Sequence, residues 1–237
     1  MMKDFKIAIY ADGASVAGMV EAKNKWPISG FTTNPTLMKR AGISDYMSFA
    51  KDALNAVDGL PISFEVFADD FPTMKKEAEK LATLDKNVFV KIPITNTKGE
   101  SSTPLIKELS AEGIQVNITA ILTYEQVKET AEALSPNTNN IISVFAGRLA
   151  DTGVDPIPLM QKCQDLVNQY PQASLLWASS RELLNIFQAE KLGVNIITVT
   201  NPILEKMRMV GLDPKELSLD TVQGFHNDVK ALGFSIL

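Results

Sequence analysis

Three consecutive segments decide the fold: NVFVKIP at residues 87–93, TPLIKELSAE at residues 103–112 and IQVNIT at residues 114–119. The first and the last are short and rich in β-branched residues, which is typical of strands buried in a parallel sheet. The middle segment places Leu105, Ile106 and Leu109 on the spacing of a helix that lies on such a sheet. Together they predict a strand, a helix and a second strand joined by a crossover.

The same alternation extends over most of the chain. Eight strand-like runs are predicted at residues 6–11, 29–32, 61–67, 87–93, 114–119, 140–146, 173–178 and 195–200. Helix-like segments follow them, and the clearest are residues 71–84, 103–112, 124–134, 157–169 and 181–191. Eight such units in 237 residues predict an α/β fold, a single (β/α)8 TIM barrel. A doubly wound sheet is the alternative, because alternation alone does not show closure.

No linker or change in composition marks a domain boundary, so we expect one domain over residues 1–237. Residues 214–237 are predicted as a C-terminal helical segment. Pro214 suits a first helical turn and Gly233 suits a helix end. Because this segment is longer than one barrel helix needs, we expect it to pack across the barrel or against a neighbouring subunit.

Composition limits the partners of the chain. Apolar residues make up 45%, enough for a sizeable core, and 23 basic against 28 acidic residues give a net charge of −5. A nucleic-acid binder usually needs a basic face. No apolar run approaches the roughly 18 residues of a membrane span, and Asp12 interrupts the short N-terminal apolar stretch. We therefore expect a cytoplasmic protein with no nucleic-acid partner and no membrane partner.

Cysteine and histidine are nearly absent. Cys163 and His226 are the sole examples in the sequence, so an intrachain disulfide is excluded. Cys/His zinc sites and Ser-His-Asp or Cys-His catalysis are nearly excluded for the same reason. An enzyme with this sequence would work mainly with carboxylate, lysine or hydroxyl groups.

Lys91 is the most unusual polar residue, because it lies inside the apolar run VFVKIP. A buried lysine is costly when charged and unpaired. One interpretation is a structural ion pair with Glu65, or an edge strand that faces water. The other is a Schiff-base lysine, because burial favours the neutral, nucleophilic amine. Arginine does not offer this chemistry, since it stays charged.

Other polar residues fall at the ends of the predicted strands, where the active sites of barrels lie. Asp12 and Glu65 come from different strands and suit either proton transfer or ion pairs with Lys91. Arg148 and Arg181 follow late strands and suit either a phosphate site or an ordinary surface.

Seven motifs resemble one family. In order they are YAD at 10–12, GFTTNPT at 30–36, SFEV at 63–66, VFVKIPIT at 88–95, EGIQVNIT at 112–119, ISVFAGRLAD at 142–151 and WASSRE at 177–182. The chain resembles transaldolase, in the class I aldolase superfamily that also includes fructose-6-phosphate aldolase. Its length and the FVKIP segment look most like the short branch of that family.

The resemblance implies a set of roles. Lys91 matches the Schiff-base lysine, and Asp12 matches the acid/base at C–C cleavage. Glu65 and Thr119 match the residues that hold the catalytic water. Substrate contacts are implied for Asn34, Thr32, Ser63, Asn117, Ser143 and Phe145. A phosphate site is implied for Arg148, Ser179 and Arg181.

The resemblance also implies an activity. It is the transfer of a dihydroxyacetone unit between sugar phosphates in the pentose phosphate pathway, with no cofactor and no metal, by a homo-oligomer, a pentamer or decamer. Glu65 and Phe145 stand where fructose-6-phosphate aldolases typically have Gln and Tyr, which favours transfer over cleavage. The alternatives are an aldolase that releases free dihydroxyacetone or acts on another sugar, and a non-catalytic barrel that binds sugar phosphates. Trp177 and Glu182 depart from the family pattern and leave the width of the phosphate site open.

Overall fold

The computed structural model describes residues 5–236, so residues 1–4 and 237 of the predicted single domain lie outside the described residues. Eight parallel strands form a closed barrel in chain order, and β1 pairs with β8. The predicted (β/α)8 barrel is therefore confirmed, and the doubly wound alternative is wrong. The strands are β1 Ala8–Asp12, β2 Ile28–Thr32, β3 Ile62–Glu65, β4 Val88–Pro93, β5 Val116–Ile121, β6 Asn140–Val144, β7 Ala173–Trp177 and β8 Ile196–Thr200.

Helices surround this barrel. They are α1 Val16–Lys25, α2 Pro35–Arg40, α3 Tyr46–Val57, α4 Phe71–Ala82, α5 Thr103–Ala111, α6 Tyr124–Ala133, α7 Ala146–Ala150, α8 Ile157–Val167, α9 Leu184–Leu192, α10 Asn201–Leu204 and α11 Pro214–Leu232, with a 3-10 turn at Glu205–Met209. Side chains just before the first turn fix where several of them begin. Asp45, Asp70 and Thr123 accept hydrogen bonds from backbone N–H groups at the starts of α3, α4 and α6.

The main core lies between the strands and the helices. Outward-facing strand residues such as Val90 and Ile92 are fully buried there against the helices. Since side chains alternate along a strand, Lys91 faces the barrel interior between them. Neighbouring residues of one strand therefore face the apolar outer layer and the polar interior in turn.

Inside the barrel, a second and smaller cluster forms the floor below the polar residues. Tyr10, Ile141, Leu176 and Ile196 are buried in it. A Cβ on Gly30 of β2 would stand 2.5 Å from the Tyr10 ring, so no larger residue fits at that position without displacing the tyrosine. The floor closes the barrel, and the polar residues above it stay near the open end.

Two predicted helical regions differ from the structure. Residues 181–183 precede α9, because the Asn185 side chain accepts hydrogen bonds from the backbone N–H groups of Arg181 and Glu182 and delays the helix. The C-terminal helix α11 forms, but none of its residues is buried. The expectation that it packs across its own barrel is therefore wrong, and one domain for the whole chain stays a prediction.

Candidate active site

A cavity of about 480 Å³ opens at the carboxyl ends of the strands. This is the end of a (β/α)8 barrel at which catalytic residues collect. Twelve of the thirteen residues singled out in the sequence line it. They are Asp12, Thr32, Asn34, Glu65, Lys91, Asn117, Thr119, Ser143, Phe145, Arg148, Ser179 and Arg181.

Lys91 lies on the wall of this cavity and is only 6% exposed. Its Nζ is 2.9 Å from Glu65 Oε2 and donates a hydrogen bond of 2.8 Å to the backbone carbonyl of Thr33. The register of β3 and β4 pairs Glu65 directly with Lys91. The structure thus contains the ion pair that the sequence suggested, and it also opens the lysine to the cavity.

Glu65 is fixed from its backbone as well. The Tyr46 hydroxyl donates a hydrogen bond of 2.9 Å to the Glu65 carbonyl. Burial and the neighbouring Glu65 charge raise the pKa of Tyr46 well above its usual range, so the phenol stays a donor. The backbone that carries the Glu65 carboxylate is therefore held in place beside Lys91.

Asp12 ends β1 and lies within the electrostatic reach of both Lys91 and Glu65. Burial raises the pKa of the Asp12 carboxyl above its usual value, while the Lys91 charge and the Thr32 hydrogen bond oppose that rise. Thr32 Oγ1 donates this bond over 2.8 Å. A carboxyl with a raised pKa suits proton transfer near neutral pH.

A row of polar side chains crosses β3, β5 and β6. Ser143 donates to Asn117 Oδ1 over 2.6 Å, and Asn117 Nδ2 donates to Ser63 over 2.9 Å. Ser63 is fully buried and is the one predicted site residue that does not line the cavity. Its position below Asn117 makes it a support for that amide.

Thr119 lies close to the same row, on β5. Its Oγ1 is buried and has no hydrogen-bond partner among the described residues. Such an atom costs free energy unless a water or a ligand satisfies it. An oxygen of this kind on the cavity wall fits the predicted role in holding a water.

Cationic residues occupy the side of the cavity near β6 and β7. The Arg181 guanidinium pairs with Asp151, with Nε 2.9 Å from Oδ1, and this pairing lowers the pKa of the Asp151 carboxyl. Arg148 stacks over the Phe145 ring at 5.9 Å from its centre and forms no direct ion pair with any of residues 5–236. The Arg148 guanidinium is therefore available to an anion in the cavity.

The backbone beside these arginines is tightly constrained. Ser179 adopts a φ of 63°, in the left-handed region that L-residues seldom occupy. A Cβ on Gly147 would stand 1.6 Å from the Ser179 carbonyl oxygen, so only glycine fits there. This close approach fixes the loop of residues 179–181 against the start of α7, on the wall of the cavity.

Other residues of the cavity wall were not among the predicted site residues. Arg40 at the end of α2 and Ser180 both line it. Thr198 and Thr200 also line it, although threonine at those positions is equally typical of an ordinary strand. A signal for Arg40 was present, since a cation soon follows the strand-end segment TTNP.

Trp177 and Glu182 do not narrow the site. Trp177 is fully buried in the layer between the barrel and the helices, because Leu176 and Ala178 on either side of it face the cavity. Glu182 is exposed and does not line the cavity. The carboxylate that neutralises Arg181 is that of Asp151 instead.

The comparisons with known proteins agree with this geometry. Residues 9–236 match the family described as transaldolase/fructose-6-phosphate aldolase. The chain belongs to that family. It is 36% identical over 199 residues to a "Probable transaldolase" of Thermoanaerobacter sp. (strain X514) and to one of Streptococcus pyogenes serotype M5 (strain Manfredo), and each match covers 84% of this chain and 88% of the relative. The resemblance seen in the seven motifs is confirmed, and family and names together support an aldolase-type enzyme.

A solved structure shares the fold. It is titled "Crystal structure of a putative fructose-1,6-biphosphate aldolase from Coccidioides immitis", and its TM-score to this chain is 0.55, over 90% of this chain and 84% of that one. At 14% identity this similarity supports the barrel fold and carries no conclusion about function. Among the helices of residues 5–236, none has the length and apolar character needed to cross a membrane.

Replacing Asp12 with asparagine should stabilise the protein at pH 7. The raised pKa of Asp12 means that folding favours the protonated carboxyl, so the ionised form lowers the free energy of unfolding at neutral pH. We expect Asp12→Asn to raise Tm by about 2–4 °C, the effect of about 1 kcal/mol in a chain of this size. The gain should shrink as pH falls through the pKa of the folded wild type.

The control is Asp52→Asn, an exposed aspartate on α3, which should leave Tm unchanged at every pH. Calorimetry between pH 4 and 8 measures both variants. A lower Tm for Asp12→Asn at pH 7 would mean that attraction to Lys91 outweighs burial.

Proposed function

We propose that this chain is a transaldolase that transfers a dihydroxyacetone unit from a ketose phosphate to an aldose phosphate through a Schiff base on Lys91. Fructose 6-phosphate and sedoheptulose 7-phosphate are the proposed donors. The observation that carries the proposal is a buried lysine on the wall of an open cavity, 2.9 Å from the carboxylate of Glu65, with Asp12 close by.

The first step joins the ketose to Lys91. The neutral amine attacks the C2 carbonyl and forms a C–N bond, and the carbonyl oxygen takes up a proton. Glu65 is suited to accept the proton that the lysine loses, because it already contacts Nζ. The carbinolamine then loses water, which Glu65 and Thr119 hold, and a protonated imine remains.

The second step breaks the C3–C4 bond. Asp12 removes the proton of the C4 hydroxyl, the C4–O bond becomes a carbonyl, and the electron pair of the C3–C4 bond moves into the protonated imine. The products are a bound enamine of dihydroxyacetone and a free aldose phosphate. The imine is the electron sink, so the proposed reaction needs no metal and no cofactor.

The third step reverses this chemistry with another acceptor. The enamine attacks the aldehyde carbon of an incoming aldose phosphate, and Asp12 returns its proton to the new hydroxyl. Water then attacks the imine and releases the new ketose phosphate from Lys91. Asn34, Thr32, Asn117 and Ser143 are proposed to bind the hydroxyls of the sugar during these steps, and Ser63 is proposed to hold Asn117.

The phosphate of the sugar is proposed to bind Arg148, Ser179 and Arg181. Arg148 is the strongest of the three, because Asp151 contacts Arg181 directly and acts on Arg148 only at longer range. Phe145 supports the Arg148 guanidinium and offers no proton to the enamine. The absence of a phenol at this position supports transfer over release of free dihydroxyacetone.

Substrates of this kind suggest the metabolic setting. Sugar phosphates are charged and do not cross membranes unaided, so the proposed enzyme acts in the cytoplasm. Interconversion of ketose and aldose phosphates is the basis for proposing a role in the pentose phosphate pathway.

Steady-state kinetics with fructose 6-phosphate tests the proposal. We expect glyceraldehyde 3-phosphate, the aldose phosphate released from this donor, to appear at least about tenfold faster when erythrose 4-phosphate is present as acceptor than when it is absent. This ratio corresponds to a difference of about 1.4 kcal/mol in the barrier. Lys91→Met should remove both reactions. The matched control is Lys86→Met, which changes an exposed lysine outside the cavity.

Three other results of these experiments would contradict the proposal. Equal rates with and without the acceptor would show a cleaving aldolase that releases dihydroxyacetone. Retained activity in Lys91→Met would exclude the Schiff base at this residue. Binding of sugar phosphates with no turnover of any ketose would show a non-catalytic barrel.

We also propose that the protein is a homo-oligomer, a pentamer or decamer, held together through α11. Apolar side chains at three- and four-residue spacing form one face of this helix and are all more than half exposed: Leu219, Val222, Phe225, Val229 and Leu232. A row of this kind on a helix with no buried residue usually marks an interface. The occupant proposed is a second copy of the chain.

Light scattering during gel filtration tests the oligomer. Phe225→Glu places a charge on the apolar face of α11 and should convert the oligomer to monomers. Asn227→Glu adds the same charge two residues along, on the opposite face of the helix, and should leave the mass unchanged. A wild-type protein that elutes as a monomer would refute the proposal.

A further inference from the structure

Asp12 is the end of a chain of hydroxyl groups that crosses three neighbouring strands. Thr32 on β2 contacts Asp12 Oδ1 at 2.8 Å, and the same Thr32 oxygen lies 2.6 Å from Thr198 Oγ1 on β8. Both threonines are buried, at 4% and 5% exposure, and both line the cavity. The contacts bring together side chains 166 positions apart in the sequence.

The direction of these hydrogen bonds follows from proton counting. An ionised carboxylate only accepts, so Thr32 must donate its single hydroxyl proton to Asp12. Thr32 then has no proton left for Thr198. Thr198 is therefore the donor in the second bond, and the order is Thr198 to Thr32 to Asp12.

This order matters because hydrogen bonds in a row strengthen one another. A hydroxyl that accepts a bond is a better donor of its own proton. Thr198 thus acts on Asp12 without touching it. The Thr198 backbone carbonyl also accepts a bond of 2.8 Å from Ser180, which ties this strand end to the loop that carries Ser179 and Arg181.

We propose that Thr198 is a positioning residue for the reaction: its hydroxyl, through Thr32, holds the Asp12 carboxylate ionised and correctly oriented to take the proton of the substrate hydroxyl. This inference rests on the proposed function, in which Asp12 is that base. Neither the fold nor the motifs of the sequence single out Thr198, since threonine is common in ordinary strands.

Charged and titratable groups reach Asp12 from several elements. Lys91 on β4 favours its ionised form and Glu65 on β3 opposes it. Arg40 on α2 lines the same cavity, and Tyr10 lies two residues before Asp12 on the inner face of β1. These groups remain in a Thr198 variant, so a change seen in that variant reports the hydroxyl chain.

The central variant is Thr198→Val, which keeps the shape of the side chain and removes the donor. We expect kcat to fall about fivefold, the effect of one net hydrogen bond, with KM changed by less than about twofold. The acid limb of the kcat profile should move up by about half a pH unit, because a less stabilised carboxylate protonates more readily.

Matched variants separate positioning from simple packing. Thr198→Ser keeps the hydroxyl and should restore both kcat and the pH profile. Thr130→Val removes another fully buried hydroxyl, one that bonds within α6 outside the barrel, and should leave the profile unchanged. In a Thr32→Val background, Thr198→Val should have no further effect, since the link to Asp12 is already cut.

A second readout does not need turnover. The difference in Tm between a protein that keeps Asp12 and the same protein with Asp12→Asn follows the titration of Asp12 as pH changes. Measured in the Thr198→Val background, the midpoint of that difference should lie at higher pH than in the wild-type background, in the direction seen in the kinetics. An unchanged midpoint, or a pH profile of Thr198→Val that matches Thr130→Val, would overturn the inference.

The proposed function and the positioning role of Thr198 can be refuted separately. A wild-type protein that turns over no ketose would refute the proposed function, while the titration would still decide whether Thr198 acts on Asp12. An active wild type, together with a Thr198→Val variant whose kcat and pH profile are unchanged, would refute the positioning role alone.

Discussion

The ion pair between Lys91 and Glu65 is the constraint on which the rest of the site depends. A charged lysine inside a barrel is costly, and it is held here by a carboxylate at 2.9 Å and by the Thr33 carbonyl at 2.8 Å. Removing either partner would leave a buried group unsatisfied. The direct pairing of Glu65 with Lys91 across β3 and β4 makes this arrangement a product of strand register. The fold therefore places the Glu65 carboxyl group beside the Lys91 amino group. In the proposed reaction, Glu65 accepts the proton that the lysine loses.

The charged side chains of the cavity lie in two regions. Near the floor, Lys91 lies 2.9 Å from Glu65, and the charges of both act on the Asp12 carboxyl. Near the rim, Arg148 and Arg181 offer positive charge to an anion. The ion pair of Arg181 with Asp151 is exposed, so it contributes little to stability and is free to rearrange around a ligand. In the proposed reaction, the covalent steps therefore take place in the interior and the phosphate binds near the surface.

Much of this was predictable, because period-two alternation is a local property. This alternation located the strands and identified Lys91 as a charged residue within an apolar run. Features of the site that depend on contacts between distant segments were not predictable in this way. Ser63 lies below the cavity because the Asn117 side chain, from another strand, donates a hydrogen bond to it and lines the cavity in its place. The role of Thr198 depends on a contact with Thr32, and one strand viewed alone contains no sign of it.

The most direct measurement is reduction with borohydride in the presence of fructose 6-phosphate, followed by peptide mass spectrometry. A protonated imine is reduced to a stable amine, which fixes the attached fragment on the residue that formed it. A Schiff base on Lys91 predicts an adduct the size of dihydroxyacetone on that lysine and on no other. An adduct at another lysine, or none with fructose 6-phosphate or sedoheptulose 7-phosphate, would contradict it.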